Sequence, residues 1–238
     1  MLKKLKNTLN SYAEPERITV LSSSFKTGPG DYAEGEKFIG VRAANIRKVV
    51  KDFYLEVDYK SIESLLKSKV HEERLLSLLI LVERYKYFSK EKYYSLTELN
   101  RTYKIYLSNT QYINNWDLID LTAHHIVGAH LKDSKNKEKV IVGLANSNDL
   151  WEKRIAMLST FYYIREKDYK LAIKVAKILV YDEHDLIQKA VGWMLREIGK
   201  RDLKTEEKFL DKYHKTMPRT MLRYAIEKFS DSKRKYYM

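Results

Sequence analysis

Leu118-Ile119-Asp120-Leu121, Arg154-Ile155-Ala156-Met157, Lys189-Ala190-Val191-Gly192 and Tyr224-Ala225-Ile226-Glu227 begin 36, 35 and 35 residues apart. Each quartet opens an apolar helical stretch that follows a shorter, more polar one or a turn. Helix pairs recurring at this period stack their apolar faces on one another, because one pair cannot bury its own face alone. The reading is an all-α fold, an α-α superhelix of HEAT-like or ARM-like helix pairs.

Outward from that repeat, period 3.6 runs the length of the chain. It predicts helices over 2–11, 15–24, 43–56, 60–67, 70–87, 91–107, 115–129, 135–144, 149–164, 168–180, 184–199, 203–214 and 218–229. Asp149, Asp182 and Asp202 stand where N-caps are wanted, and Pro218 suits a first helical turn. Glycine and proline number 8 and 3 in 238 residues, under half of the roughly 12% they average in globular proteins, which opposes a turn-rich β fold. No low-complexity linker splits the chain, so residues 1–238 are expected to form one domain. The conspicuous non-helical segment is the Gly-rich stretch 26–40, which carries four of the eight glycines. It is either a long connection or a ligand-facing loop, and it matches neither a P-loop nor a Rossmann fingerprint.

Composition narrows the chemistry. There is no cysteine, which removes disulfides, Cys-ligated zinc, Fe–S clusters and thiol nucleophiles. Forty-five Lys and Arg against 32 Asp and Glu leave a net charge of +13, pointing to a polyanionic partner: nucleic acid first, an anionic membrane surface second. The longest apolar stretch, Leu75 to Val82, is far short of the roughly twenty residues a spanning helix needs. The Met1–Lys6 segment is basic with no apolar region behind it. Both suit a soluble cytosolic protein of a bacterium or archaeon.

The three tryptophans carry the most information. Trp116 and Asp120 are four apart and share one helical face. Trp151 and Arg154 share another, and Trp193 lies between Lys189 and Glu197. Singly, an indole on a helix packs in the core and an aspartate near a helix start serves the cap. In the repeat register, however, Asp120, Arg154 and Trp193 fall near one end of successive helices, with Trp151 left to pack between repeats. His124, His125 and His130 lack metal-ligand spacing, and no metal or cofactor is expected.

The strings Asn115-Trp116-Asp117-Leu118-Ile119-Asp120, Trp151-x-x-Arg154-Ile155-Ala156 and Ile187-Gln188-Lys189-Ala190-x-Gly192-Trp193-x-Leu195-Arg196-Glu197 resemble the motifs of the AlkD family of HEAT-like-repeat DNA glycosylases. The order and spacing fit from about residue 20 to 230. The resemblance implies hydrolysis of the N-glycosidic bond of cationic alkylpurines such as 3-methyladenine and 7-methylguanine, in duplex DNA, by a monomer. It implies Asp120 as the carboxylate facing an oxocarbenium-like transition state, Trp116 and Trp193 as π faces for the cationic nucleoside, and Arg154 as a phosphate clamp. It also suggests a lesion that stays largely stacked. Arg42, Arg47, Lys189, Arg196, Arg219 and Arg223 are then the expected DNA contacts, with Lys48, Lys51 and Lys228 beside them. The tail Lys233-Arg234-Lys235-Tyr236-Tyr237 is expected to be a frayed end. Without the resemblance, a non-catalytic HEAT-like nucleic-acid scaffold fits the same fold and charge.

Overall fold

The computed structural model describes residues 1–238, all helix, turn or loop apart from one isolated bridge between Lys37 and Val70. The chain divides into two compact units, Met1–Thr122 and Ala123–Met238. No helix is long and apolar enough to cross a membrane.

The first unit contains α1 (Leu2–Asn10), α2 (Ile18–Ser24), α3 (Ala43–Phe53), α4 (Tyr59–Leu66), α5 (His71–Phe88), α6 (Leu96–Leu107) and α7 (Trp116–Asp120). Helix α5 is its axis. Leu75 to Val82 are buried without a break, so α5 has no solvent stripe and must be surrounded. Its neighbours α3, α4, α6 and α7 supply that cover. Helix α3 does so with Ile46, Val49, Val50 and Phe53, an i, i+3, i+4, i+7 face. The charged residues of α5 close the ends of its neighbours. Arg84 donates to the carbonyls of Tyr54 at 2.6 Å, Leu55 at 3.2 Å and Val57, satisfying the exit of α3. Asp58 and Ser95 cap α4 and α6, each accepting from the backbone N–H three residues on.

The second unit contains a π-helix (His124–Gly128), α8 (Lys137–Ala145), α9 (Leu150–Ser159), α10 (Phe161–Arg165), α11 (Lys170–Ile178), α12 (Asp185–Gly199), α13 (Leu203–Tyr213), α14 (Arg219–Ala225) and α15 (Asp231–Tyr237). Helices α9, α12 and α14 pack in sequence as one row; opposite them α8 packs on α11, and α11 and α13 line one cleft as the other row. Helices α8, α11 and α13 begin at residues 137, 170 and 203, and α9, α12 and α14 at 150, 185 and 219. The expected repeat of helix pairs is therefore present at 33 to 35 residues. Glycine sets the spacing of α14 on α12 and of the π-helix on α9. A Cβ on Gly192 would lie 2.4 Å from the Met221 carbonyl oxygen, and one on Gly128 would lie 2.4 Å from that of Ser159. Backbones approach this closely only where no side chain intervenes.

Several expectations need correction. None of the aligned quartets opens a helix: 154–157 and 189–192 lie inside α9 and α12, while 118–121 and 224–227 run past the ends of α7 and α14. The stretch 115–129 is not one helix: α7 stops at Asp120, and the chain resumes as the π-helix. Thr122 explains the stop, since its hydroxyl bonds back to the Leu118 carbonyl and also pairs with the Tyr106 hydroxyl at 2.9 Å. Ser159 and Thr160 back-bond similarly to Ile155 and Met157, and 149–164 breaks there into α9 and α10. Asp149 and Asp202 do cap α9 and α13, but α12 is capped by His184, whose Nδ1 accepts from Leu186 N–H. Asp182 instead accepts from His184 N–H, and Pro218 sits at the N-cap rather than in the first turn. The tail is not frayed. It forms α15, capped by Ser230 and anchored by buried Tyr237, whose hydroxyl donates to Asp211 at 2.8 Å.

One buried carboxyl strains the second unit. Glu206 is 1% exposed and lies against Gly199. Burial, reinforced by the Glu207 charge and only partly opposed by Arg196, pushes it up to about 9. The folded chain thus keeps this proton up to about pH 9 while the unfolded chain loses it near 4.5, so its contribution to stability falls as pH rises across that window. Glu206→Gln is expected to raise the stability read by urea unfolding at pH 8 by ~1–3 kcal/mol. The gain should shrink toward pH 4.5.

Candidate functional site

Four consecutive residues open α5: His71, Glu72, Glu73 and Arg74. All four are buried, although their types normally mark an exposed first turn. Each is buried against a partner. The Glu72 carboxylate accepts from the backbone N–H groups of Ile39, Gly40 and Val41 at 2.8 to 3.2 Å. Glu73 pairs with Lys6 of α1 at 2.6 Å. Arg74 donates to both oxygens of Glu36 at 2.6 Å and to the Ser68 carbonyl at 3.0 Å. His71 Nε2 meets Asp117 Oδ2 at 2.8 Å, while its Nδ1 faces Glu36 Oε2 at 3.6 Å, too long for a hydrogen bond but close for an ion pair.

The Gly-rich segment is therefore fixed, not a slack connection. Glu36 and the 39–41 backbone bind it to α5, and the Lys37 carbonyl accepts from His71 N–H at 2.8 Å. This brings its aromatic side chains to α7. Asn115 opens that helix, its side-chain oxygen accepting from Trp116 N–H at 2.8 Å. The Trp116 ring stacks on Phe25, with centroids 5.1 Å apart and planes 13° apart. Its indole N–H donates to the Tyr32 hydroxyl at 3.2 Å. Phe25, Phe38 and His71 complete the aromatic packing, with centroids 5.0 to 5.2 Å apart. Beyond Tyr32 a cavity of about 500 Å³ opens, lined by Lys37, Lys67, Lys69, Arg74, Tyr112 and Asn114. Trp116 and Asp120 are both half-buried, one helical turn apart on α7.

Burial alone would push His71 down. The hydrogen bond to Asp117 and the Glu36 carboxylate override it and raise His71 to about 9. The same imidazolium, with Arg74, holds Glu36 below the usual carboxylate range against its own burial. At neutral pH this is a charged, closed network, and it lies directly behind Trp116.

In the second unit, Arg154 is 4% exposed, and one guanidinium nitrogen donates to the Leu186 carbonyl at 2.5 Å. It thereby fixes α9 against the first turn of α12. A phosphate contact through that nitrogen requires Arg154 to leave the carbonyl. Trp193 is half-buried on the same helix, seven residues beyond Leu186 and so about 10 Å along the axis. Its ring neighbours Phe161 at 6.2 Å, and Phe161 in turn meets His124 edge-on at 5.3 Å. Trp151 is buried, as its register suggested. His124 and His125 stack on each other at 3.9 Å within the π-helix.

The expected DNA-contact residues divide into two groups. Arg47 and Arg223 are exposed, with no ion pair or side-chain hydrogen bond. The other four are engaged: Arg42 with Glu14, Arg196 with Glu227, Lys189 with Asp185 at 2.7 Å, and Arg219 with the Met238 carbonyl at 2.5 Å. The sequence reading passed over residues 71–74. Their signal was available: four ionisable side chains at the mouth of the most apolar helix cannot all face water.

The chain is thus all-helical and built of helix-pair repeats, with a half-buried indole and carboxylate on one turn of α7 and a net charge of +13. The chain belongs to the family of DNA alkylation repair enzymes, whose model matches residues 5–229. Its fold is similar to that of a protein described as a predicted DNA alkylation repair enzyme from Enterococcus faecalis, with a TM-score of 0.70 and 16% identity. That likeness covers 92% of this chain and 97% of the other. No curated protein matches the sequence.

The network behind Trp116 predicts a pH signature. A histidine raised in the folded state adds stability in full below its unfolded value of 6.5 and loses it as pH rises through 9. The stability difference between wild type and His71→Gln, read by urea unfolding, should be largest near pH 6 and should have collapsed by pH 10.

Proposed function

We propose that this chain is a monofunctional DNA glycosylase that removes cationic alkylated purines, such as 3-methyladenine and 7-methylguanine, from duplex DNA. The observation that carries this reading is the Trp116–Asp120 pair on one turn of α7 in a chain of the DNA alkylation repair family. Alkylation at N3 or N7 makes the base a cation. When the bond from C1′ to the base nitrogen breaks, the electron pair passes to the base and neutralises it, so no general acid is needed.

Positive charge then accumulates on the deoxyribose, in an oxocarbenium-like transition state. Asp120 is the group that meets it. A carboxylate held on a helix stabilises that charge without reorganising and orients the water that attacks C1′. Trp116 and Trp193 present π faces, whose negative quadrupole favours a cationic nucleoside over a neutral one. Arg154 acts from its buried position by holding the first turn of α12, the helix that carries Trp193. Arg47 and Arg223, exposed and unpaired, are the contacts most ready to meet phosphate. Arg42, Lys189, Arg196 and Arg219 would join them by exchanging their present partners. Binding to DNA should therefore weaken steeply with salt. The reading needs neither a metal nor a cofactor, and it treats the working unit as a monomer.

The test is release of 7-methylguanine from methylated duplex DNA. Wild type is expected to release it, and Asp120→Asn to be slower by ~100-fold or more, the scale of losing one preorganised electrostatic group. Salt-sensitive duplex binding with no release would leave a binding scaffold instead, and undiminished release by Asp120→Asn would overturn the role given to Asp120.

A further inference from the structure

Between α11 and α13, in the second unit, lies a cleft of about 660 Å³. Five lysines line it: Lys167, Lys170, Lys177, Lys208 and Lys212. None of the five is in an ion pair. Some other lysines of the unit are paired. Lys153 pairs with Asp182, Lys174 with Glu138, Lys200 with Glu197 and Lys233 with Glu207. The lone carboxylate in the cleft, Asp168, faces its own backbone and accepts from Lys170 N–H at 3.2 Å. The cleft thus holds five lysine charges against one carboxylate, which is turned to its own backbone.

Register places these charges in two facing rows. Lys170 and Lys177 are seven apart on α11, with Ile173 between them on the same face. Lys208 and Lys212 are four apart on α13, with Phe209 beside them. The cleft also has aromatic surface. Tyr169 and Tyr213 are half-buried at its edge. The Tyr213 ring packs on Phe209 at 4.7 Å, and Lys212 Nζ lies 5.3 Å from its centroid. A volume of this size takes a nucleotide or two of an extended chain but not the width of a double helix. Lysines spaced along a groove, with rings on which bases stack, are what a single nucleic-acid strand requires.

The cleft is separate from the residues proposed for catalysis. Arg154 and Trp193 are on α9 and α12 and face Leu186 and Phe161, whereas the cleft belongs to the row of α11 and α13.

We propose that the cleft between α11 and α13 is a binding site for single-stranded DNA. Phosphates lie along Lys170, Lys177, Lys208 and Lys212, and a base stacks on Tyr213. The inference does not rest on glycosylase activity, and its failure would leave that reading untouched.

The test is fluorescence anisotropy of the full chain with a labelled oligo-dT strand and, separately, with an unmodified duplex. The variants are the triple Lys177→Gln, Lys208→Gln, Lys212→Gln and the single Tyr213→Ala, each checked for native helix content and melting. The triple is expected to weaken strand binding at least ~10-fold at low salt and to reduce the slope of log K against log salt by about 2, near 0.7 per phosphate contact. Tyr213→Ala should weaken strand binding by about 5- to 100-fold, with little change in that slope. Duplex binding and 7-methylguanine release should match wild type. Unchanged strand affinity in the triple overturns the proposal. So does equal weakening of duplex and strand, which would make the cleft part of the duplex surface. Displacement of the strand by anionic vesicles, with Tyr213→Ala behaving as wild type, would assign the cleft to a membrane surface and also overturn it.

Discussion

The first unit depends on the burial of four ionisable side chains at the start of α5. Charge taken from water is tolerated only where partners restore what hydration gave, and removing one partner of such a pair costs about 3–5 kcal/mol. His71, Glu72, Glu73 and Arg74 meet that requirement by reaching outward in four directions: to α7, to the 39–41 backbone, to α1 and to the end of α4. A single helical turn therefore fixes the placement of elements far apart in sequence. Trp116 owes its position to this turn twice, through Asp117 on its own helix and through the loop that brings Tyr32 against it.

The second unit is built on another constraint, the distance between backbones. Its first row closes up at Gly192, and the π-helix meets the end of α9 at Gly128, in both cases without intervening side chains, and apolar residues at helical spacing fill the rest. The second row, α8, α11 and α13, carries four of the five lysines that line the cleft. The same repeat thus yields a row that holds Arg154 and Trp193 and a row that carries the cleft.

What the sequence reveals follows from which interactions are local. Helices, most caps and the 33–35-residue repeat depend on neighbours within a turn or two, and they are readable at Asp149, at Asp202 and in the apolar spacing of α12. Thr122 and Thr160 break helices by bonding back one turn, a signal that is present but weak beside strong periodicity. Residues 71–74 hint at their burial by their place at the mouth of the most apolar helix, but not at their partners, which apart from Ser68 lie about 30 to 67 residues away. The helical tail is of the same kind, since Tyr237 finds Asp211 only after folding. At the candidate site the residue types and register of Trp116 and Asp120 were legible. The engagement of Arg154 with a backbone carbonyl was not, because it takes the folded packing of α9 on α12 to create that acceptor.

The bond from Trp116 to Tyr32 has one more consequence. An indole has a single polar hydrogen, and here the protein itself already occupies it. One face of the ring is also covered, by Phe25. Whatever approaches Trp116 from outside therefore meets aromatic electron density with no donor attached, and cannot be sorted by its pattern of acceptors. Such a surface is blind to the lettering of a base and responsive to its charge and flatness.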